Sequence, residues 1–212
     1  VDERWYALPA MDAATGLPTA WRFVPSVTWV SGFYPKGIGF YKWLANAKGW
    51  DEAEAIRAAA GDKGSKVHQA ITKLVDGQTV KMDDRIINPS TGNHEPLTLD
   101  EYDCLMSFVG WTQSAKVETL ARDFIVVGSD DAYAGTADWL GRVDGVYWLI
   151  DFKSGQDVWP EHEIQVSAYA AALEGAQPPL RPEIQDALSM AGLKHGILQV
   201  GYRRNERGWK LT

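Results

Sequence analysis

Residues 133–155, YAGTADWLGRVDGVYWLIDFKSG, decide how the rest of the chain is read. Asp144-Gly145 is the favoured dipeptide of a two-residue hairpin turn. With those residues in the turn, Val143 faces Val146 and Asp138 falls opposite Asp151. Side chains alternate along a strand. Asp138, Leu140, Leu149, Asp151 and Lys153 are therefore expected on one face, and Ala137, Trp139, Trp148, Ile150 and Phe152 on the other. Two carboxylates directly across a ladder repel each other, and burial worsens the repulsion. Two readings follow. In one, the end of the hairpin is a solvated surface where Lys153 neutralises one aspartate. In the other, the apolar run VYWLI is buried and a hard divalent cation lies between the carboxylates, keeping water or phosphate as its other ligands. A lysine on that face would then position the attacking water or neutralise charge developing on a phosphoryl group.

The flanking sequence alternates helical and extended signals. Residues 4–26, RWYALPAMDAATGLPTAWRFVPS, read as two extended runs around a Gly turn. GIGFYKWLANA (37–47) reads as a short amphipathic helix. DEAEAIRAAAG (51–61) has Asp51 and Glu54 at capping-box spacing, with Gly61 as its stop. GSKVHQAITKLVDG (64–77) carries Val67, Ile71 and Leu74 at helical spacing. Thr98 and Glu101 cap a helix over 97–115. Residues 116–154 are β-rich, Pro160 opens a helix over 160–175, PEIQDALSMAG (182–192) is a short helix, and 196–211 form a closing hairpin. This order predicts a single α/β (α+β) domain over residues 1–212, built on one central sheet.

Composition narrows the function classes. One cysteine among 212 residues, Cys104, excludes an internal disulfide framework and a four-cysteine iron–sulfur cluster. No apolar run is long enough to span a membrane. The first ten residues, VDERWYALPA, contain no signal-peptide core, so an intracellular protein is expected. The chain does not begin with Met, so a piece of a longer protein, with a partner domain elsewhere, is also expected. Lys plus Arg total 21 against 28 Asp plus Glu, a net charge of −7. That balance argues against a nonspecific nucleic-acid coat but leaves room for an enzyme with a local basic groove. Ten tryptophans admit two readings, core packing or a stacking platform for unpaired bases.

Asp138 followed by Asp151-Phe152-Lys153 resembles the signature of the PD-(D/E)XK nuclease superfamily. Gly64-Ser65-Lys66-Val67-His68 matches the G-x-x-x-H helix of its RecB-like exonuclease branch. YAGTAD (133–138) matches that branch's aG-x-x-D strand, and Gln165 and Tyr169 its Q-x-x-x-Y helix. Glu118 and VPSVTWV (24–30) are similar to the mitochondrial genome maintenance exonuclease and related phage exonucleases. The resemblance covers residues 24 to 202. It departs from many members in carrying Asp151 where they have Glu, and in lacking cluster cysteines.

The resemblance implies a restriction-endonuclease-like core, a central mixed β-sheet flanked by helices, with an added helical N-terminal part. It implies that His68, Asp138 and Asp151 bind Mg²⁺ or Mn²⁺, with the Phe152 carbonyl as a further ligand. Lys153 would be the catalytic lysine, Gln165 would orient Lys153 or a scissile phosphate, and Tyr169 would buttress Gln165. Glu118 would support the metal ligands or contact DNA. His94, His162 and His195 match no motif and are expected at the surface. Lys36, Lys42, Lys48, Arg57, Lys63, Lys66 and Lys73 would line a strand-tracking groove. Trp29, Phe40, Tyr41 and Trp43 would stack bases, unless these aromatics belong to the core. Arg203, Arg204, Arg207 and Lys210 add charge in the last hairpin. The expected activity is metal-dependent hydrolysis of DNA from single-stranded ends, in recombination, repair or replication, within the cytoplasm of a bacterial or phage-infected cell. A recombination or replication protein would be its partner. A structure-specific endonuclease, a double-strand exonuclease and a non-cleaving DNA-binding module remain open alternatives.

Overall fold

The computed structural model describes residues 4–12, 14–175, 185 and 192–212. The chain opens with a hairpin of β1 (Trp5–Met11) and β2 (Pro18–Pro25), followed by α1 (Val27–Ser31), α2 (Ile38–Asn46) and α3 (Trp50–Val75). A small hairpin of β3 (Arg85–Ile87) and β4 (His94–Pro96) leads to α4 (Leu99–Ser114). Then come β5 (Val117–Val127), β6 (Ala134–Val143), β7 (Val146–Lys153), α5 (Pro160–Glu174), β8 (Lys194–Val200) and β9 (Trp209–Leu211). The last five strands form one sheet in sequence order. Only β7 and β8 are parallel, so the sheet is mixed. A parallel pair cannot be joined by a tight turn, and α5 lies in the connection between them.

The β6–β7 hairpin has the expected register, from Val143 opposite Val146 to Trp139 opposite Ile150. Asp144 and Gly145 both have positive φ, +51° and +81°, as a type I′ turn requires. Both faces of this hairpin are covered. Trp139, Ile150, Phe152 and Leu198 pack with Val67, Ile71, Leu105 and Trp111 from α3 and α4. Leu140 and Leu149 pack with Val27, Tyr169 and Leu173 from α1 and α5. The solvated-hairpin reading is thereby overturned, and Asp151 is 1% exposed. Strict alternation also fails in one place. Ala137 joins the α5-side cluster rather than sharing the face of Trp139. The break coincides with Asp123, which has φ +44° and lies between the pairs Arg122–Trp139 and Phe124–Ala137.

Helix α4 carries the expected capping box, with the Thr98 hydroxyl accepting from Glu101 N–H and Glu101 accepting from Thr98 N–H. The two helices expected on either side of Gly61 are instead one helix of 26 residues. Its N-cap is Gly49 with no side-chain cap bond, so Asp51 and Glu54 form no capping box. Packing of Val67, Ala70 and Ile71 against the sheet outweighs the roughly 1 kcal/mol cost of an interior glycine. The expected helix over 182–192 lies outside the described residues, 185 and 192 excepted. Among the described residues, no helix is long and apolar enough to cross a membrane.

The tryptophans divide between the two readings. Trp111 and Trp139 are buried and meet edge-to-face at 5.7 Å, with Trp139 Nε1 donating to Thr119 Oγ1. Trp5, Trp21, Trp43, Trp50 and Trp159 are exposed.

A Cβ on Gly61 would meet nothing within 4 Å. Gly61→Ala should therefore stabilise the protein by roughly 0.5–1 kcal/mol, raising the melting temperature by about 2–4 °C per kcal/mol. Gly145→Ala should lower it, because Gly145 has φ +81°. Thermal melts followed by circular dichroism check both signs. A destabilising Gly61→Ala would contradict a helix continuous through that position.

Candidate functional site

The end of the β6–β7 hairpin opens into a cleft of about 1210 Å³, bounded by α3, β6, β7 and the start of α5. Asp138 lies one residue beyond the last Cα pair of the β6–β7 ladder, and its Oδ2 accepts a 2.8 Å hydrogen bond from Phe152 N–H. Asp151, on the neighbouring strand, is enclosed. Neither of its carboxylate oxygens has a hydrogen-bond partner among the described residues. The Lys153 ammonium lies 2.6 Å from Asp151 Oδ2 as an ion pair, without the angles of a hydrogen bond.

These groups set one another's protonation. Burial, and then the Asp151 charge, push the Asp138 carboxyl up to about 7. Burial alone would lower the Lys153 ammonium, but the charges of Asp151 and Asp138 outweigh it and the net shift is upward. Lys153 is thus a cation and not a base at neutral pH. It donates to Gln165 Oε1 at 3.4 Å, and Gln165 Nε2 donates to Tyr169 OH at 2.8 Å. The helical spacing of Gln165 and Tyr169 puts them one turn apart on the same face. Gly135 explains how Tyr169 comes so close to β6. A Cβ there would stand 2.3 Å from Tyr169 Cε1.

His68 reaches the cluster from α3. Its Nδ1 is 3.7 Å from Asp138 Oδ2, and its Nε2 is 3.1 Å from Asp123 Oδ1. Burial opposes the imidazolium, yet the bond to Asp123 and the charges of Asp138, Asp123 and Asp151 raise the pKa overall. Asp123 is lowered, chiefly by its bond to His68. It also accepts from Thr72 Oγ1 at 3.0 Å.

No protein-family model matches the chain, and no curated protein matches it. The geometry therefore carries the functional argument.

Among the described residues, no three His, Cys, Asp or Glu side chains close on a common point as a finished metal cage. The donor chemistry nevertheless fits a hard divalent cation. Two buried carboxylate oxygens of Asp151 lack hydrogen bonds, the Asp138 carboxylate is destabilised by its neighbour, and one imidazole is adjacent. Oxygen-rich sites with a few carboxylates are those that take Mg²⁺ or Mn²⁺. His68, Asp138 and Asp151 could hold such an ion, with Phe152 on the same cleft wall.

The cleft gathers His68, Asp138, Asp151, Phe152, Lys153, Gln165 and Tyr169, all expected from sequence. Glu118 is not with them. It pairs with Arg142 near the hairpin turn, 2.9 Å from Lys116 and 3.5 Å from Arg142. Asp123, five residues along the same strand, is the acid at the cleft. An aspartate inside the run LARDFIVV was the signal for it. Lys66 is also misplaced by the sequence reading. It is buried, with Nζ 2.8 Å from Glu101 Oε2 and 3.2 Å from Pro96 O, and it ties α3 to the α4 cap. Lys63 pairs with Asp100, and Lys36 with Glu161 of α5. Arg57 and Lys73 line the cleft, whereas Lys42 and Lys48 do not. Nor do Arg203, which pairs with Asp100, or Arg204, which pairs with Asp157. Phe40 meets both Tyr41 and Trp43 on α2, which has no buried residue, and none of the three lines the cleft, so they are neither core nor cleft lining. His162, expected at the surface, lines the cleft.

A second cavity of about 590 Å³ adjoins the first, sharing Arg4, Thr28 and Arg57. Trp29, Phe33 and Trp50 line it, and Phe33 and Trp50 are largely exposed.

The upward shift of Asp138 fixes the sign of a pH effect. The metal-free fold bears no penalty from this group below about pH 4, where the carboxyl is protonated folded or unfolded. Stability is lost as pH rises toward about 7. In EDTA, Asp138→Asn should therefore melt higher than wild type, by a margin small near pH 4–5 and widest above pH 7. Roughly 2–4 °C is expected per kcal/mol of repulsion removed. Paired melts across that pH range test this. A margin independent of pH would contradict the carboxylate repulsion.

Proposed function

We propose that the chain is a divalent-metal-dependent deoxyribonuclease of the PD-(D/E)XK superfamily, in its RecB-like branch, hydrolysing phosphodiester bonds from the ends of single-stranded DNA. The observation that carries the reading is Asp151, a fully buried carboxylate without hydrogen bonds, beside Asp138 and next to a lysine held in its ammonium form. Lys153 offsets part of the charge of the two carboxylates, and a divalent cation between them would offset the rest. The mixed five-stranded sheet flanked by helices is compatible with a restriction-endonuclease-like core. Work in recombination, repair or replication belongs to the same proposal.

His68, Asp138 and Asp151 would hold Mg²⁺ or Mn²⁺, which when bound supplies Lewis-acid polarisation of the phosphate and charge stabilisation at the attacking and leaving oxygens. Lys153 places a fixed positive charge beside the phosphoryl oxygens, where negative charge grows. Gln165 holds the Lys153 ammonium in position, and Tyr169 in turn holds Gln165. Asp123 fixes the His68 ring through Nε2.

The adjoining cavity supports a single-stranded substrate. Its Trp29, Phe33 and Trp50 offer faces to unpaired bases, and Arg4 and Arg57 stand where the two cavities meet. A chain of net charge −7 can bind a polyanion when the local field along the strand's path is positive.

End-labelled linear and circular DNA, single- and double-stranded, should be incubated with Mg²⁺, Mn²⁺ or EDTA. Linear single strands should be degraded with either metal and left intact in EDTA. Lys153→Ala, folded by circular dichroism, should lose roughly 100-fold or more in rate. Circles cut as fast as linear strands would establish the endonuclease alternative instead. Trp50→Ala should weaken single-strand binding, measured with Ca²⁺ in place of Mg²⁺, by about 10- to 100-fold without unfolding the protein.

A further inference from the structure

His162 faces the same cleft as Asp138, Asp151 and Lys153 but matches none of the sequence motifs. It lies in the first turn of α5, three residues before Gln165, so the two share a helix face. The Trp159 backbone N–H donates to His162 Nδ1 at 3.3 Å. A ring nitrogen that accepts carries no proton, so the neutral ring holds its proton on Nε2. The helix cap thereby fixes the tautomer and leaves one N–H to be offered elsewhere. Burial, and then the Lys153 ammonium, push the imidazole down to about 4. The ring is a neutral donor at neutral pH and does not compete with Lys153 as a second cation. Asp151, Glu161 and Lys36 are the other charged groups that act on it.

We propose that His162 is a substrate-contacting residue, whose Nε2–H donates a hydrogen bond to a phosphate oxygen of the DNA strand in the cleft. The inference rests on the phosphodiesterase reading above. A neutral donor suits this place. It holds a phosphate oxygen through direction while Lys153 supplies charge, and it adds no repulsion to the lysine.

The capping bond suggests the test. Glu and Gln are the residues that ordinarily complete a capping box from this position, so both substitutions keep the acceptor that Trp159 N–H needs. His162→Gln also keeps a donor, whereas His162→Glu puts a carboxylate where the donor was. Both variants should fold, with melting temperatures close to wild type. On linear single-stranded DNA with Mg²⁺, the Glu variant should lose roughly 100-fold in kcat/KM and the Gln variant no more than about 5-fold. In Ca²⁺, loss of the neutral donor in His162→Ala should weaken binding without changing the slope of log affinity against log salt. Lys73→Ala, if Lys73 contacts a phosphate, should reduce that slope by about one unit. A folded Glu variant that cleaves like wild type overturns the His162 assignment alone. Wild-type protein that neither binds nor cleaves DNA overturns the nuclease reading with it. Wild-type protein that binds without cleaving removes the catalytic reading, and the Glu variant must then still lose affinity for the His162 contact to stand.

Discussion

Two carboxylates meet at the end of one hairpin, and the surrounding structure manages that repulsion. Asp138 is held by the Phe152 amide and faced by His68. Asp151 has a single ammonium for company. The strands and helices that carry these groups are held by apolar packing on the two faces of the sheet. Burying a large apolar side chain contributes on the order of 1.5–3 kcal/mol. Several such side chains are enough to offset a locally unfavourable cluster. The unfavourable charge therefore sits at the wall of the cleft, where shifted protonation equilibria concentrate.

The most local features of the fold were the most legible. Asp144-Gly145 set the hairpin register because two consecutive positive φ values leave few alternatives. The Thr98–Glu101 box marked the start of α4 because its bonds span only one turn. Gly61 misled because helix propensity is a weak local preference, and the sheet contacts that overrule it are distant in sequence. The resemblance pointed to Glu118 because it is an acid preceding the meander. Which acid of a strand reaches a cleft depends on register, and a left-handed residue at Asp123 changes the local twist. Lys66 looked like surface charge because its partner Glu101 is far along the chain and unreadable without the α3–α4 packing. The aromatics of α2 and those of the adjoining cavity look alike in sequence. Only the chain path separates them.

The cleft also shows an economy in its cations. Many of the basic residues that the sequence suggests are committed to carboxylate partners, as Lys36, Lys63, Lys66 and Arg203 are. The exposed ones among these pairs add little stability, whereas the Lys66–Glu101 pair is buried and ties α3 to α4. Arg57 pairs with Glu54 and Lys153 with Asp151, and both line the cleft together with Arg4 and Lys73.

Helix α3 connects these parts as one rigid rod. It begins at Trp50 in the smaller cavity, passes Gly61 and Gly64 along the cleft wall, and presents His68 to the carboxylates. At about 1.5 Å per residue, roughly 27 Å of helix separates Trp50 from His68. The two glycines line the cleft without side chains. The helix thus acts as a ruler. Any linear molecule reaching from the tryptophan end to the carboxylate end would have to span that interval, roughly 27 Å.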